Sequence, residues 1–368
     1  MEKIFTEDDL IYIQNRGNSI EKIQQQLDFF IQGIPKINLV RSAKVGDGIW
    51  QFSEEETNDF VIYFDKHKTN YSIEKFVPAS GAATRMFKFL NEFLNDFDAE
   101  NDTINSYINK RNAKDISIFI FGLKNFPFYR ELKEKTIQLY PNYYSLSSDK
   151  KYHALIKTLL SKEGLDFANK PKGILPFHVR DEKIITPIEE NIFESDFFKR
   201  ENQKTKIHFT ITEEFQPDFE KITNQFSECE ISFSYQNQST DTLAVNEDNT
   251  PFRIEDNKLF FRPGGHGALI DNLNALQSDI IYIKNIDNVS QNHRRVIETN
   301  KKILGGVLFF VQYKIFNYLK LLSNGNVTEE QILEIKDFAE NKTAFPLPEE
   351  FNFFQTAYKI EYLIKVLN

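Results

Sequence analysis

Apolar residues recur at helical spacing through the first 70 positions. Ile20, Ile23, Leu27 and Ile31 share one face, and Pro35 ends that run. Upstream, TEDDLIYIQNRG offers Thr6 as an N-cap ahead of a first turn rich in acids, which suit the positive end of a helix. A third helix is expected over EEETNDFVIYFDKH (54–67). These segments read as a cap or arm, with no chemistry of their own.

The pattern then changes. Phe76–Val77 is a short strand expectation, followed by five small residues and by Phe87, Leu90, Phe93 and Leu94 on one helical face. The segments 128–139 and 149–162 also read as helices, and SIFIFGL (117–123) is apolar. From about 205 the texture is β-rich: KIHFTIT (206–212) and EISFSYQ (230–236) alternate, KLFFRP (258–263) follows an Asp-Asn turn, and DIIYIKNIDNV (279–289) reads as a buried strand with a polar end. Helical stretches near 188–200, 213–226 and 268–276 separate them. Strands alternating with helices predict an α/β domain with a mostly parallel sheet. Ligands of such sheets sit beyond the carboxyl ends of the strands, where 80–86 and 285–288 both fall. The tail from about 292 is helical, with a long apolar run at 301–322 and a capping-box pattern, TEEQ, at 328–331.

Composition narrows the function. The net charge of -9 argues against general nucleic-acid binding, which needs a basic surface, but leaves room for a local anion site. The single cysteine, Cys229, excludes an internal disulfide and a cysteine-cluster metal site. The acidic start is unlike a secretory signal. The most apolar run, ILGGVLFFV (303–311), is shorter than the ~20 residues that a membrane span needs. A cytoplasmic protein without a membrane partner is therefore expected. Phe is abundant, at 36 residues, and 40% of the chain is hydrophobic, enough for a substantial core.

Four stretches could carry chemistry. In ASGAATRM (79–86), small residues between strand and helix let backbone N–H groups face an anion at a helix start, and Arg85 offers a planar fork to phosphate. The alternative is a tight helix–sheet crossing with a surface arginine. The motif is neither GxxxxGK[ST] nor GxGxxG. PKGILPFH (171–178) fixes Lys172 in a proline–glycine turn, or is an ordinary exposed turn. RPGGHGAL (262–269) has Gly264, Gly265 and Gly267, which permit positive φ and close approach, with His266 placed to meet a base. NIDNV (285–289) offers Asp287 to Mg2+ beside a polyphosphate, or uses it as a turn residue. A hydrolytic triad of Ser80, His266 and Asp287 lacks the GxSxG context.

Together these stretches resemble the sugar nucleotidyltransferases. ASGAATRM is similar to their AGGxGTRM signature, and PKGILPFH followed by TPIEENI (186–192) is similar to their PK element and helix start. The order Gln236, GGHGAL, IDN resembles the UDP-sugar pyrophosphorylase branch. Over most of its length the chain also closely resembles a bacterial family described as domain of unknown function 4301, to which FVPASGAATRMFKFL and FRPGGHGALI are specific.

The resemblance implies a Rossmann-like, glycosyltransferase-A-type α/β core at 71–290. Periodicity adds a helical segment at 1–70 and a helical tail at 291–368, and a helical insertion at about 87–168 departs from those enzymes; a truncated form of a longer protein, or one that lacks full activity, is expected. The resemblance further implies a nucleoside triphosphate or nucleotide sugar and a sugar phosphate as ligands, with Mg2+. Arg85 and Lys172 would be catalytic, and Asp287 would hold the metal. Ser80, Gly81, Ala82, Ala83, Thr84, Gln236, Gly264, Gly265, His266 and Gly267 would face nucleotide and phosphate. Ser80 and Ala83 stand where those enzymes have glycine, and strands expected after the Asp-Asn strand are replaced by helix. A catalytically inactive binding module, or a purely structural protein, is the competing expectation.

Overall fold

The computed structural model describes residues 4–81 and 83–368. The chain forms two compact units, one of residues up to Pro35 with Tyr71–Gln291, the other of Lys36–Asn70 with Asn292–Asn368.

The first unit is built on a four-stranded parallel sheet. Its strands are β1 (Ile73–Pro78), β2 (Thr205–Ile211), β3 (Cys229–Tyr235) and β4 (Ile280–Ile283), in spatial order β4-β1-β2-β3. The fold is thus mixed α/β with a central parallel sheet, as the alternation of strands and helices predicts. Strands are added on one side of β1 and then on the other, so the direction of growth reverses between β1 and β4. Every residue of β1 is buried. One face carries Val77, Ile207, Phe209 and Ile211 against Ile188 and Ile192 of the helix Pro187–Glu194 and Phe219 of the helix Gln216–Thr223.

That core contains an inward lysine. Lys75 is fully buried and donates to the Asn191 carbonyl at 2.8 Å and to Glu194 Oε1 at 2.9 Å. Glu194 also pairs with Lys284. A buried ammonium without such partners would cost several kcal/mol. On the opposite face, Phe76 stacks on His208 at 5.6 Å and 3°. The two His208 ring nitrogens each lie 2.7 Å from a serine hydroxyl, Ser232 on Nδ1 and Ser234 on Nε2. Burial pushes the imidazole pKa down, and a neutral ring meets both hydroxyls as one donor and one acceptor.

Between β1 and β2 lie the helices Lys88–Asp96, Ile104–Arg111, Lys114–Gly122, Tyr129–Leu139 and Ser148–Leu160, which share a Phe- and Leu-rich core of their own. The N-terminal helices Glu7–Asn15 and Ile20–Gln32 pack Ile13, Ile23 and Leu27 against Leu243, Leu259 and Phe261. Thr6 closes a capping box with Asp9. Arg253 grips the Asp9 carboxylate with both terminal nitrogens, at 2.9 and 2.8 Å, and holds its pKa below the usual range.

Two strand expectations are corrected here. KLFFRP contributes only Phe261–Arg262, paired with Thr242–Leu243 outside the main sheet, because Leu259 and Phe261 are drawn into the N-terminal helical core. The 279–289 run is not a buried strand. Only Ile280–Ile283 pair, only Ile280 of these is buried, and Ile283 is exposed on an edge strand.

In the second unit, the helix Glu54–His67 packs along the helix Arg294–Ser323. Gly306 makes their close approach possible, since a Cβ there would lie 2.2 Å from the Phe60 carbonyl oxygen. The helices Glu329–Lys342 and Thr356–Leu367 complete this core around Ile332, Ile335, Phe351 and Leu363. The capping box expected at Thr328 is present. Among the described residues, no helix is long and apolar enough to cross a membrane.

Candidate functional site

The four sheet strands run in the same direction, so the segments following them emerge at one edge. Loop 79–83 follows β1, Thr212 follows β2, Gln236 follows β3 and Asp287 follows β4. Adjacent strands are about 4.8 Å apart, which puts the β1 and β4 ends side by side and the β3 end roughly 10 Å from β1.

Residues 79–81 and Ala83 are sewn to their surroundings by backbone. Ala79 N–H donates to the Thr210 carbonyl at 2.8 Å, and the Thr212 hydroxyl donates to the Ser80 carbonyl at 3.2 Å. The PKG turn is stitched to the same loop twice: Lys172 N–H donates to the Gly81 carbonyl and Ala83 N–H to the Lys170 carbonyl, each at 3.2 Å. Two motifs about ninety residues apart in sequence thus form one structure. Gly173 beneath them fits between Ile188 and Ile286, where a Cβ would come within 3.3 Å of both. The Asn191 amide donates to the Pro187 and Ile286 carbonyls and ties the 285–288 turn to its helix.

Lys172 Nζ donates to Asp287 Oδ2 at 2.7 Å. Gly81, Lys172 and Asp287 therefore come together at the carboxyl ends of β1 and β4. Thr84 and Arg85 are exposed in a single 3-10 turn, Ala83–Arg85, ahead of the helix Lys88–Asp96. Among the described residues, Arg85 makes no ion pair. Ala82 lies outside the described residues.

The glycine-rich loop meets the far end of the same edge. Gln236 Nε2 donates to the Gly264 carbonyl at 3.4 Å and lies 3.5 Å from Asp241 Oδ1. Asp241 in turn pairs with Arg16. Gln236, expected to face a base or sugar, thus spends its amide on holding the loop. The Asn272 amide, one turn past the loop, donates to Ser234 Oγ and the Tyr235 carbonyl. Gly265 and Gly267 are exposed, and a Cβ at either would meet nothing. The side chain of His266 lies outside the described residues, although its backbone opens the short turn His266–Leu269.

The positive φ that glycine permits is not used at these positions. Gly81, Gly264, Gly265 and Gly267 are all outside the left-handed region. Only Gly264 is sterically required, because a Cβ there would lie 2.8 Å from the Thr240 carbonyl oxygen and 2.9 Å from Ala268 Cβ. Ala83 opens the 3-10 turn, and its methyl is buried in the core of the helical insertion.

Among the described residues, the carboxylate placed at this edge is Asp287, already facing an ammonium. Among the described residues no group of three or more His, Cys, Asp or Glu side chains could hold a metal ion. Mg2+ that takes most of its ligands from water and phosphate oxygens needs only one or two protein carboxylates, and Asp287 meets that demand.

Sequence reasoning missed Thr212, Lys170 and Asn191, which position the loops, and the Arg16–Asp241–Gln236 chain behind the glycine loop. Their types carry no motif; only the fold assembles them. Of the two charged residues in the strand IEKFVP, Glu74 and Lys75, the lysine was a visible sign of the Lys75–Glu194–Lys284 cluster.

A family model described as Domain of unknown function (DUF4301) matches residues 6–368, and the chain belongs to that family. No curated protein and no solved structure matches the chain.

Proposed function

We propose that the edge formed by Gly81, Lys172 and Asp287 binds the phosphate groups of a nucleotide or sugar phosphate. The observation that carries this reading is the position of these residues at the point where strand addition reverses, between β1 and β4. In open α/β sheets that reversal opens a crevice above the carboxyl ends, and ligands use it. On this reading the core is Rossmann-like, of the glycosyltransferase-A type.

The chemistry that suits the arrangement is nucleotidyl transfer. An ionised sugar-phosphate oxygen forms a bond to the α-phosphorus of a nucleoside triphosphate while the bond to pyrophosphate breaks. The attacking oxygen is already an anion, so no general base is needed. The protein's part is orientation and charge neutralisation. Lys172 would leave Asp287 to neutralise the α-phosphate, and Arg85, exposed and unpaired among the described residues, would meet the departing pyrophosphate. Mg2+ arriving with the triphosphate would neutralise phosphate charge at the Asp287 carboxylate.

A second reading, a phosphate-ligand binder without turnover, is favoured by two observations. The Ala83 N–H is spent on Lys170, and Lys172 is already neutralised. The test is a thermal-shift series with nucleotides, nucleotide sugars and Mg2+, followed by pyrophosphate detection with sugar phosphates. A ligand at about 100 times Kd adds about 2.7 kcal/mol. Stabilisation with pyrophosphate release supports the enzyme, and stabilisation without release supports the binder. No stabilisation by any phosphate ligand refutes both.

A further inference from the structure

An apolar pocket of about 360 Å³ takes part of its lining from the two stitched motifs. Met86 and Phe87, immediately after Arg85, form one wall, and Phe177, from the PKGILPFH turn, forms another. Four further phenylalanines, Phe89, Phe119, Phe126 and Phe128, come from the helical insertion. Phe128 meets Phe177 edge-to-face at 5.8 Å, and Phe89 meets Phe119 in the same way at 5.9 Å. The lining has no charged or hydrogen-bonding side chain.

We propose that this pocket receives a flat apolar group, an aromatic ring, on the phosphate-bearing ligand of the neighbouring edge. The proposal rests on the phosphate reading above. Its volume lies at the small end of ligand pockets and suits one ring with a short substituent. Edge and face contacts with surrounding phenylalanines are the geometry that aromatic rings prefer. A nucleobase is disfavoured, since its polar edge would lose water and gain no partner here. Met86 of the lining is exposed, and Arg85, which precedes it in the chain, is exposed with no ion pair among the described residues. A ring in the pocket would thus leave its phosphate on the side of Arg85 and Lys172. On this inference the phosphate ester at the edge is an aryl phosphate or a comparably apolar ester, in place of the sugar phosphate.

The test compares phenyl phosphate, methyl phosphate and toluene by calorimetry on the full chain, wild type and Met86→Trp. The Trp, at a partly exposed position, fills the mouth without opening the core. Phenyl phosphate should bind about thirty-fold more tightly than methyl phosphate, from the apolar area of one ring. Met86→Trp should bring phenyl phosphate down to the methyl phosphate level. Equal binding of the two phosphates to the wild type overturns this proposal and leaves the phosphate reading standing. A phenyl advantage that survives Met86→Trp also overturns it, because the ring then sits elsewhere. Toluene binding with no binding of either phosphate overturns the phosphate reading and the joined ligand together.

Discussion

Asp287→Asn is the sharpest probe of the proposed phosphate edge, because the two roles of that carboxylate change affinity in opposite directions. In the free protein Asp287 lies 2.7 Å from the Lys172 ammonium, with side chains 46% and 25% exposed. Two unit charges at 4 Å interact by about 4 kcal/mol at an effective dielectric of 20 and about 1 kcal/mol in water. The exposure of this pair places it near the lower figure, and exposed pairs contribute about 0–1 kcal/mol to folding. The variant should therefore fold, with Tm within about 2 °C of wild type. Without Mg2+, a phosphate on Lys172 no longer competes with a neighbouring carboxylate. Relief of about 1 kcal/mol makes pyrophosphate or triphosphate bind about five-fold more tightly in EDTA. With Mg2+, the same variant loses the carboxylate that would hold the ion, so the gain in affinity on adding Mg2+ shrinks. Calorimetric titration of ATP into both proteins, with EDTA and then with Mg2+, reads both effects. The EDTA effect should fade in 1 M salt, where the Debye length is about 3 Å. Unchanged Mg2+-free affinity would refute Lys172 as the anion's partner. A collapse of stability would make the pair structural.

Arg85→Ala should leave the urea midpoint unchanged, since Arg85 is exposed, and weaken triphosphate several-fold; a melted variant would show a packing role instead. Gly306→Ala pushes a methyl to 2.2 Å from the Phe60 carbonyl oxygen and should cost about 1–3 kcal/mol or more in urea melts; a neutral result would mean that this helix crossing yields easily. Burial lowers the pKa of His153, His178 and His208 below 6.5, so the unfolded chain binds more protons just below neutrality. Stability should be full above about pH 7 and fall as pH drops through 6.5 towards the folded values. His208→Gln should flatten that slope, and an unaltered slope would clear His208 of any part in it. Burial, with Glu228 and Asp196 nearby, pushes the Cys229 thiol up to about 11, so iodoacetamide should modify it slowly at pH 8; rapid modification would contradict that environment.

Periodicity made much of the fold legible. The helices at 54–67 and 129–139 and the strands at 205–211 and 229–235 lie close to where alternation and helical spacing put them. It failed where tertiary competition decides. Leu259 and Phe261 are apolar and alternating, yet their partners are the N-terminal helices, not the sheet. The 279–289 run is apolar because Ile280 and Ile286 are buried at its two ends, while β4 itself pairs over only four residues. Nothing local distinguishes those cases. The site was legible as a set of loop ends and not as contacts. Gln236 and Gly264 stand in separate motifs of the sequence, and the fold joins them to each other.

The small residues of ASGAATRM answer to two demands, and the structure separates them by position. Ala83 is buried, gives its N–H to Lys170, and packs into the helical insertion; its smallness lets the PKG turn close on the loop. Gly81 gives its carbonyl to Lys172 but is exposed, with space where a side chain would be. Packing accounts for Ala83 and gives no reason for Gly81 or Arg85. A tight crossing alone would tolerate a larger residue at 81 and any solvated residue at 85. An anion at this edge would require both, since bulk at 81 would block its approach and only a cation at 85 would reward it. On the proposed reading, substituting Gly81 and Arg85 tests the function, whereas substituting Ala83 tests the scaffold.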